Sequence, residues 1–289
     1  MKKYDFYFLC LLITGALFGC QQQSEAKKTA DAEILTITQL ANSDFHFLLG
    51  ENILEALIKP SDGGKLVSLK YKGKEVLASK AADSVAYGST FWPSPHNWGW
   101  PPASEIDRDA YSSKLKENTL IMQGPVIQKM GLRFVKEFTL IPEDTSLYFR
   151  YTIINTSEEV KSVAPWEVTR VPKGGLAFFP VSENYKSFEN LNSGIKEDLY
   201  FCEVPTGYNG KSQKINFDAS EGWLAYLREN TLFVKQVDNL NAEQIAPNEG
   251  DVELYIDDLS DYIELENQGI YTKLQPGDSL HYDTKWFLN

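Results

Sequence analysis

The feature that most constrains this chain is alternation. From about residue 34 onward, side-chain character changes with a period of two, and β-branched and aromatic residues are abundant. Leu147, Phe149, Tyr151 and Ile153 hold one phase against Tyr148, Arg150, Thr152 and Ile154. Leu132, Phe134, Lys136 and Phe138 do the same against Arg133, Val135 and Glu137. A period of two places successive side chains on opposite faces of an extended strand. It predicts strands over 53–59, 65–71, 74–78, 118–123, 131–141, 146–155, 161–171, 175–181, 223–228, 231–237, 251–256, 261–267 and 279–288. Lys72-Gly73, Glu229-Asn230 and Pro276-Gly277-Asp278 supply short polar turns between several of them. No segment sustains a helical period over three turns, and no repeat of 20–50 residues suggests a propeller or solenoid. The expectation is an all-β fold: a large antiparallel β-sandwich, two sheets face to face, formed by residues 34–289 as a single domain. Two tracts, 88–102 and 182–222, break the pattern and are expected to be long irregular loops over that scaffold.

The first 33 residues follow different rules. Lys2 and Lys3 precede an apolar stretch from Phe6 to Phe18 that is too short for a comfortable membrane span. It ends Leu17-Phe18-Gly19-Cys20, which resembles a bacterial lipobox. The expectation is a lipoprotein signal peptide over 1–19, lipid on Cys20, and a polar flexible tether over 20–33. The competing reading is an ordinary cleaved signal with a chance cysteine. Contact with the membrane is then through the N-terminal lipid only. Gln21 lacks the aspartate that retains some lipoproteins at the inner membrane, so a cell-envelope location at the outer membrane is expected.

With Cys10 removed and Cys20 lipidated, Cys202 has no partner for a disulfide and reads as a small buried hydrophobe. There is no C-x-x-C or H-E-x-x-H, and only three histidines, so a zinc site is not expected, nor is any cofactor. Asp257, Asp258 and Asp261 cluster, but a solvated acidic turn explains them without a metal. With 28 Lys+Arg against 40 Asp+Glu, the net charge of −12 excludes a general nucleic-acid binder, which needs a basic footprint. A monomer is expected.

Four places could carry chemistry. The 88–102 tract holds Trp92, Trp98 and Trp100 together with His96 and four prolines. Indole faces stack on the C–H faces of sugars and the ring N–H adds a polar handle, so this tract is a candidate carbohydrate platform. It could equally plug an open end of the sandwich. His96 is a candidate acid or base, or a hydrogen-bonded structural residue; His46 and His281 lie on strand-like segments. Glu264 and Glu266 fall on one face of a strand, where burial and mutual repulsion would raise a carboxylate pKa, unless the face is simply solvated. In Ala164–Arg170, Trp166, Val168 and Arg170 share one face while Glu167 and Thr169 share the other. An arginine can orient sugar hydroxyls, although a cross-strand ion pair is the plainer role.

Taken together, these segments resemble the galactose mutarotase-like (aldose 1-epimerase-like) superfamily, and within it the domain-of-unknown-function 4380 family. The pieces are Gly63 to Leu69, Gly88 through Trp92-Pro93, Trp100-Pro101-Pro102, Asn155-Thr156-Ser157 with Ala164 to Thr169, Gly222-Trp223-Leu224, Tyr262 to Gln268, Leu274 to Asp278, and Trp286. They run in consistent order over about 230 residues of the chain. The resemblance implies a β-supersandwich with a sugar cleft on one face. In the superfamily's sugar epimerases a glutamate takes the anomeric proton and a histidine protonates the ring oxygen. Their glutamate sits in an E-x-Q pattern before an L-x-P-G-[DE] turn, which Glu266-Asn267-Gln268 and Leu274 to Asp278 match. Glu266 is therefore the implied general base, with Glu264 in reserve. The histidines do not carry over: the strand after Asn155-Thr156-Ser157 reads Pro165-Trp166-Glu167-Val168-Thr169. His96 lies nearby in a different local motif.

Three functions follow. The first is an envelope lipoprotein that binds a mono- or oligosaccharide, with little or no catalysis, through Trp92, Trp98, Trp100, Trp166, Glu167 and Arg170. The second is a sugar 1-epimerase-like enzyme, with Glu266 as base and His96 or Glu167 as acid. The third is a structural or assembly module without a sugar site.

Overall fold

A computed structural model describes residues 34–289, and 54% of them form strands, in two large antiparallel sheets packed face to face. The signal segment 1–19, Cys20 and the tether 20–33 lie outside the described residues. One sheet has eleven strands. Its main path runs Leu35–Gln39, Phe45–Leu49, Leu54–Lys59, Lys65–Tyr71, Ser89–Ser94, Lys161–Pro172, Tyr262–Gln268, Val252–Ile256 and Gln213–Phe217. The other has ten, and its centre is Thr231–Gln236, Ser279–Leu288, Ser146–Asn155 and Leu132–Ile141.

Alternation becomes burial most plainly in the second sheet. Along Leu132–Ile141 every other residue is buried, and Leu132, Phe134, Lys136 and Phe138 all face inward. Between the sheets aromatic rings interlock. Phe91 stacks on Tyr151 at 4.3 Å, and Phe47 meets Phe138 edge-on at 4.7 Å. Such pairs add to the area each ring removes from water. The inward Lys136 donates its amine to the Gly63 carbonyl at 2.6 Å, and burial pushes its pKa down to about 7. Lys72-Gly73 and Glu229-Asn230 turn with positive φ at both positions, as two-residue hairpins require.

Both tracts expected to be loops contain strands. Ser89–Ser94 lies in the middle of the first sheet, between Lys65–Tyr71 and Lys161–Pro172, and each of its residues is buried. With both faces covered, a strand has no reason to alternate, so period two cannot reveal it. The 182–222 tract contributes Asn192–Lys196, Leu199–Val204 and Gln213–Phe217. The first ends one sheet and the last ends the other, and edge strands carry polar, half-exposed residues that read like loop. Conversely, the strand expected over 74–78 shortens to Lys74–Glu75. Among the described residues no helix is long and apolar enough to cross a membrane.

Candidate functional site

The Lys161–Pro172 strand sits at the centre of the first sheet and separates two environments. Its register aligns Trp166 with Trp92, Val168 with Glu266, and Arg170 with Glu264. On the next strands Glu266 aligns with Glu253, Glu264 with Tyr255, and Tyr255 with Lys214. Cross-strand partners share a face. Trp92, Trp166, Arg170, Glu264, Glu266 and Lys214 therefore form one continuous surface on the outside of the sandwich. That surface is the floor of a cleft of about 390 Å³, with His96 and Trp100 at its edge.

The floor is acidic, yet each carboxylate has a cation. Arg170 is fully buried, and its Nε lies 2.8 Å from Glu264 Oε1. It also donates to Thr90 Oγ1 at 3.2 Å, and its guanidinium lies over the Trp92 ring at 5.2 Å. Glu266 is buried too. Its Oε2 accepts the Trp166 indole N–H at 2.7 Å and lies 3.5 Å from Lys214 Nζ. Lys214 also pairs with Glu253, whose other oxygen accepts from Gln268 Nε2 at 2.6 Å. Burial, the largest influence, pushes Glu266 well above the usual carboxylate range. Lys214 pulls it down, and the charges of Glu253 and Glu264 push it up. Lys214 is itself held above its ordinary value: burial lowers it, but Glu266 and Glu253 outweigh burial.

Partial burial, then the charge of Lys214, hold His96 below the ordinary imidazole value. Its ring lies 4.3 Å from the Trp98 ring and 5.4 Å from that of Trp166, and its backbone N–H donates to Glu249 Oε1 at 2.8 Å. The tryptophans do not offer the polar handles expected of them. Trp92 donates its N–H to Asp107 Oδ2 at 3.2 Å and Trp98 to the Pro93 carbonyl at 2.9 Å. These bonds and that of Trp166 to Glu266 fix the rings, so ring faces and edges remain for a ligand. Trp100 differs: it is 58% exposed and stands against the edge of Trp92 at 5.8 Å.

The cleft thus collects Glu266, Glu264, His96, Trp92, Trp100 and Trp166; Arg170, expected to touch the ligand, is wholly buried behind Glu264 and does not line it. Trp98 backs it. Glu167 does not join them, which corrects its expected place as ligand contact or acid. It points between the sheets, where its Oε2 lies 3.1 Å from Lys235 Nζ and its Oε1 accepts from Ser89 and Thr169 at 2.9 and 2.8 Å. Neither Glu167 nor Lys235 has any exposed surface. The reason is strand parity: one step along the strand reverses the face.

Sequence reasoning missed Lys214, Glu253 and Tyr255. Lys214 stands in Gln213–Phe217, an alternating run inside a tract read as loop. Glu253 and Tyr255 were on a predicted strand, but only register brings that strand beside Glu264 and Glu266. The other candidates lie elsewhere. His46 pairs with Glu55 at 3.2 Å and His281 shares a hydrogen bond with Thr152 at 2.9 Å. Cys202 is buried, and burial pushes its thiol up to about 12. Asp257, Asp258 and Asp261 do not converge. Asp257 Oδ1 instead accepts the N–H groups of Leu259 and Ser260 at 2.6 and 2.7 Å.

Residues 95–289 match DUF4380, a domain of unknown function, and the chain belongs to that family. No curated protein matches its sequence. Among solved structures, the fold is similar to a galactose mutarotase-like protein from Clostridium acetobutylicum, at 12% identity and TM-score 0.57, covering 89% of this chain and 99% of that one. A galactose mutarotase-like protein from Lactobacillus casei gives 10% identity and TM-score 0.57, covering 88% and 100%. A TPR-domain containing protein from Parabacteroides distasonis gives 15% identity and TM-score 0.59; 89% of this chain is covered, but only 53% of that longer one. The fold is galactose mutarotase-like.

Proposed function

We propose that this DUF4380 member binds a sugar in the cleft floored by Glu264 and Glu266, and that it does so as a lipoprotein of the cell envelope. One observation carries the first part. Two neighbouring carboxylates of one strand, Glu264 held by Arg170 and Glu266 sharing Lys214 with Glu253, face a cleft walled by the rings of Trp92, Trp100 and Trp166. Carboxylates accept from sugar hydroxyls, and indole faces cover C–H faces. A cleft of about 390 Å³ is within the range of small-molecule sites. The exposed Trp100 speaks against a purely structural role for the aromatic tract, because a plug would bury it. Titration calorimetry with a panel of aldoses tests the reading. Saturable binding that weakens in Glu264→Gln is expected; no heat with any sugar would refute it.

The second part rests on Leu17-Phe18-Gly19-Cys20 and the polar stretch after it. Membrane attachment is then by lipid at Cys20, with the outer membrane favoured by Gln21. Palmitate labelling that vanishes in Cys20→Ser is the expected result. Labelling that persists, or is absent from the wild type, counts against it.

Epimerase chemistry is a second reading, favoured by the placement of Glu266 and His96 on the same cleft. Glu266 would take the anomeric proton and His96 would protonate the ring oxygen. The proton affinities oppose a fast version. Glu266 as a base must be ionised, but its pKa is raised; His96 as an acid must be protonated, but its pKa is lowered. Both shifts work against the required charge states, so fewer molecules hold both groups correctly charged than ordinary proton affinities would give. Binding is thus the leading reading. If proton NMR shows accelerated anomer exchange, Glu266→Gln should cut it by roughly 10²–10⁴-fold. An unchanged rate would remove Glu266 from the chemistry.

A further inference from the structure

Behind Trp98 and Trp100 lies a second cavity, of about 600 Å³. Trp100 lines both cavities, so the two sites adjoin along one exposed indole. Their chemistry is opposite. Glu264, Glu266, Asp83 and Asp257 line the first, against one amine, that of Lys214. The second has no carboxylate in its lining and has two amines, those of Lys129 and Lys161. Lys129 forms no ion pair among the described residues, and Lys161 pairs at 3.0 Å with a largely exposed Glu159, a weak partner that a ligand anion can replace. Two basic side chains beside one cavity are notable on a chain with net charge −12.

We propose that the second cavity is a subsite for an acidic sugar unit, so that the ligand is an oligosaccharide at least two units long that crosses Trp100 and carries a carboxylate beyond it. This rests on the sugar-binding reading of the first cleft and narrows it to uronate-containing glycans. Carboxylates outnumber the one amine in the lining of the first cleft, so a neutral unit or reducing end belongs there. Lys129 and Lys161 attract the carboxylate of the next unit. Trp100 supplies the stacking surface between the two units.

The test is calorimetric titration of the full-length protein in detergent with galactose, β-1,4-galactobiose and digalacturonate, and with the corresponding manno-configured sugars. Digalacturonate or its manno counterpart should bind about tenfold more tightly than the neutral disaccharide and weaken as salt rises. Lys129→Gln combined with Lys161→Gln should erase that preference and leave monosaccharide affinity unchanged. Trp100→Ala should weaken disaccharides more than monosaccharides. If monosaccharides bind but the acidic disaccharides bind no better than neutral ones, the subsite is overturned while the cleft stands. Acid preference that survives the double lysine variant overturns it as well. If no sugar binds, the cleft reading fails and the subsite with it.

Discussion

The two faces of the Lys161–Pro172 strand each bury an ion pair, and the pairs differ in one respect. On the inner face Glu167 meets Lys235 across the gap between sheets, sealed from solvent on both sides. The pair is completed by Ser89, Thr169 and the Leu265 carbonyl, which accepts from Lys235 at 3.0 Å. On the outer face Arg170 is equally sealed, but its partner Glu264 keeps about 10% of its side chain open to the cleft. The inner pair holds the sheets together and has no room for a ligand. The outer pair holds one carboxylate at the surface of a cavity in a fixed position. A buried charge therefore marks a candidate site only when its partner network leaves an opening.

The largest expected effect would break this comparison at its inner side. Lys235→Ala leaves Glu167 buried without its cation and should cost about 3–5 kcal/mol in urea unfolding. Glu264→Gln keeps an acceptor for Arg170 and should cost less, about 1–2 kcal/mol, while lowering sugar affinity roughly tenfold or more. Equal destabilisation by the two variants would erase the distinction between a sealed pair and an open one.

A pH series sharpens the outer side. The folded chain holds the Glu266 proton to a higher pH than the unfolded chain does. Its contribution to stability is therefore fully present below the ordinary carboxylate value of 4.5 and is lost as pH rises toward the raised folded value. The urea midpoint should fall from pH 5 to pH 8, and fall less in Glu266→Gln. Identical slopes in both proteins would show that Glu266 ionises normally. Asp251, pushed up to about 7 by burial, contributes a slope of the same sign in both, so the difference between them reports Glu266.

The smallest stability effect belongs to Trp100. With over half its surface exposed, Trp100→Ala should change stability by no more than about 0.5 kcal/mol. Sugar affinity should fall roughly five- to tenfold, because the ring offers a face that no other residue covers. A large loss of stability with unchanged affinity would return Trp100 to the scaffold.

How much of this was legible depends on what each residue's signal required. Strands with one solvated face, such as Leu132–Ile141 and Ser279–Leu288, announce themselves because water on one side forces alternation. Ser89–Ser94, covered on both faces, does not. The shared face of Glu264 and Glu266, and of Trp166 and Arg170, was readable because parity is local. Lys214 and Glu253 were not, because nothing in their own segments points to a strand about 50 residues away in one case and 13 in the other.

The sequence by itself determined the all-β class, the face on which each strand residue lies and several of the hairpin turns. These depend on side-chain period and backbone φ, which act over a few residues. Only the tertiary structure decided which faces meet water, which meet the other sheet and which line a cleft. It sent Glu167 to a sealed pair and Glu264 to an open one, gave Glu266 the company of Lys214 and Trp166, and set a basic cavity beside an acidic cleft across Trp100. The physical reason is that burial and charge pairing belong to the register and packing of distant strands, and a local pattern does not encode them.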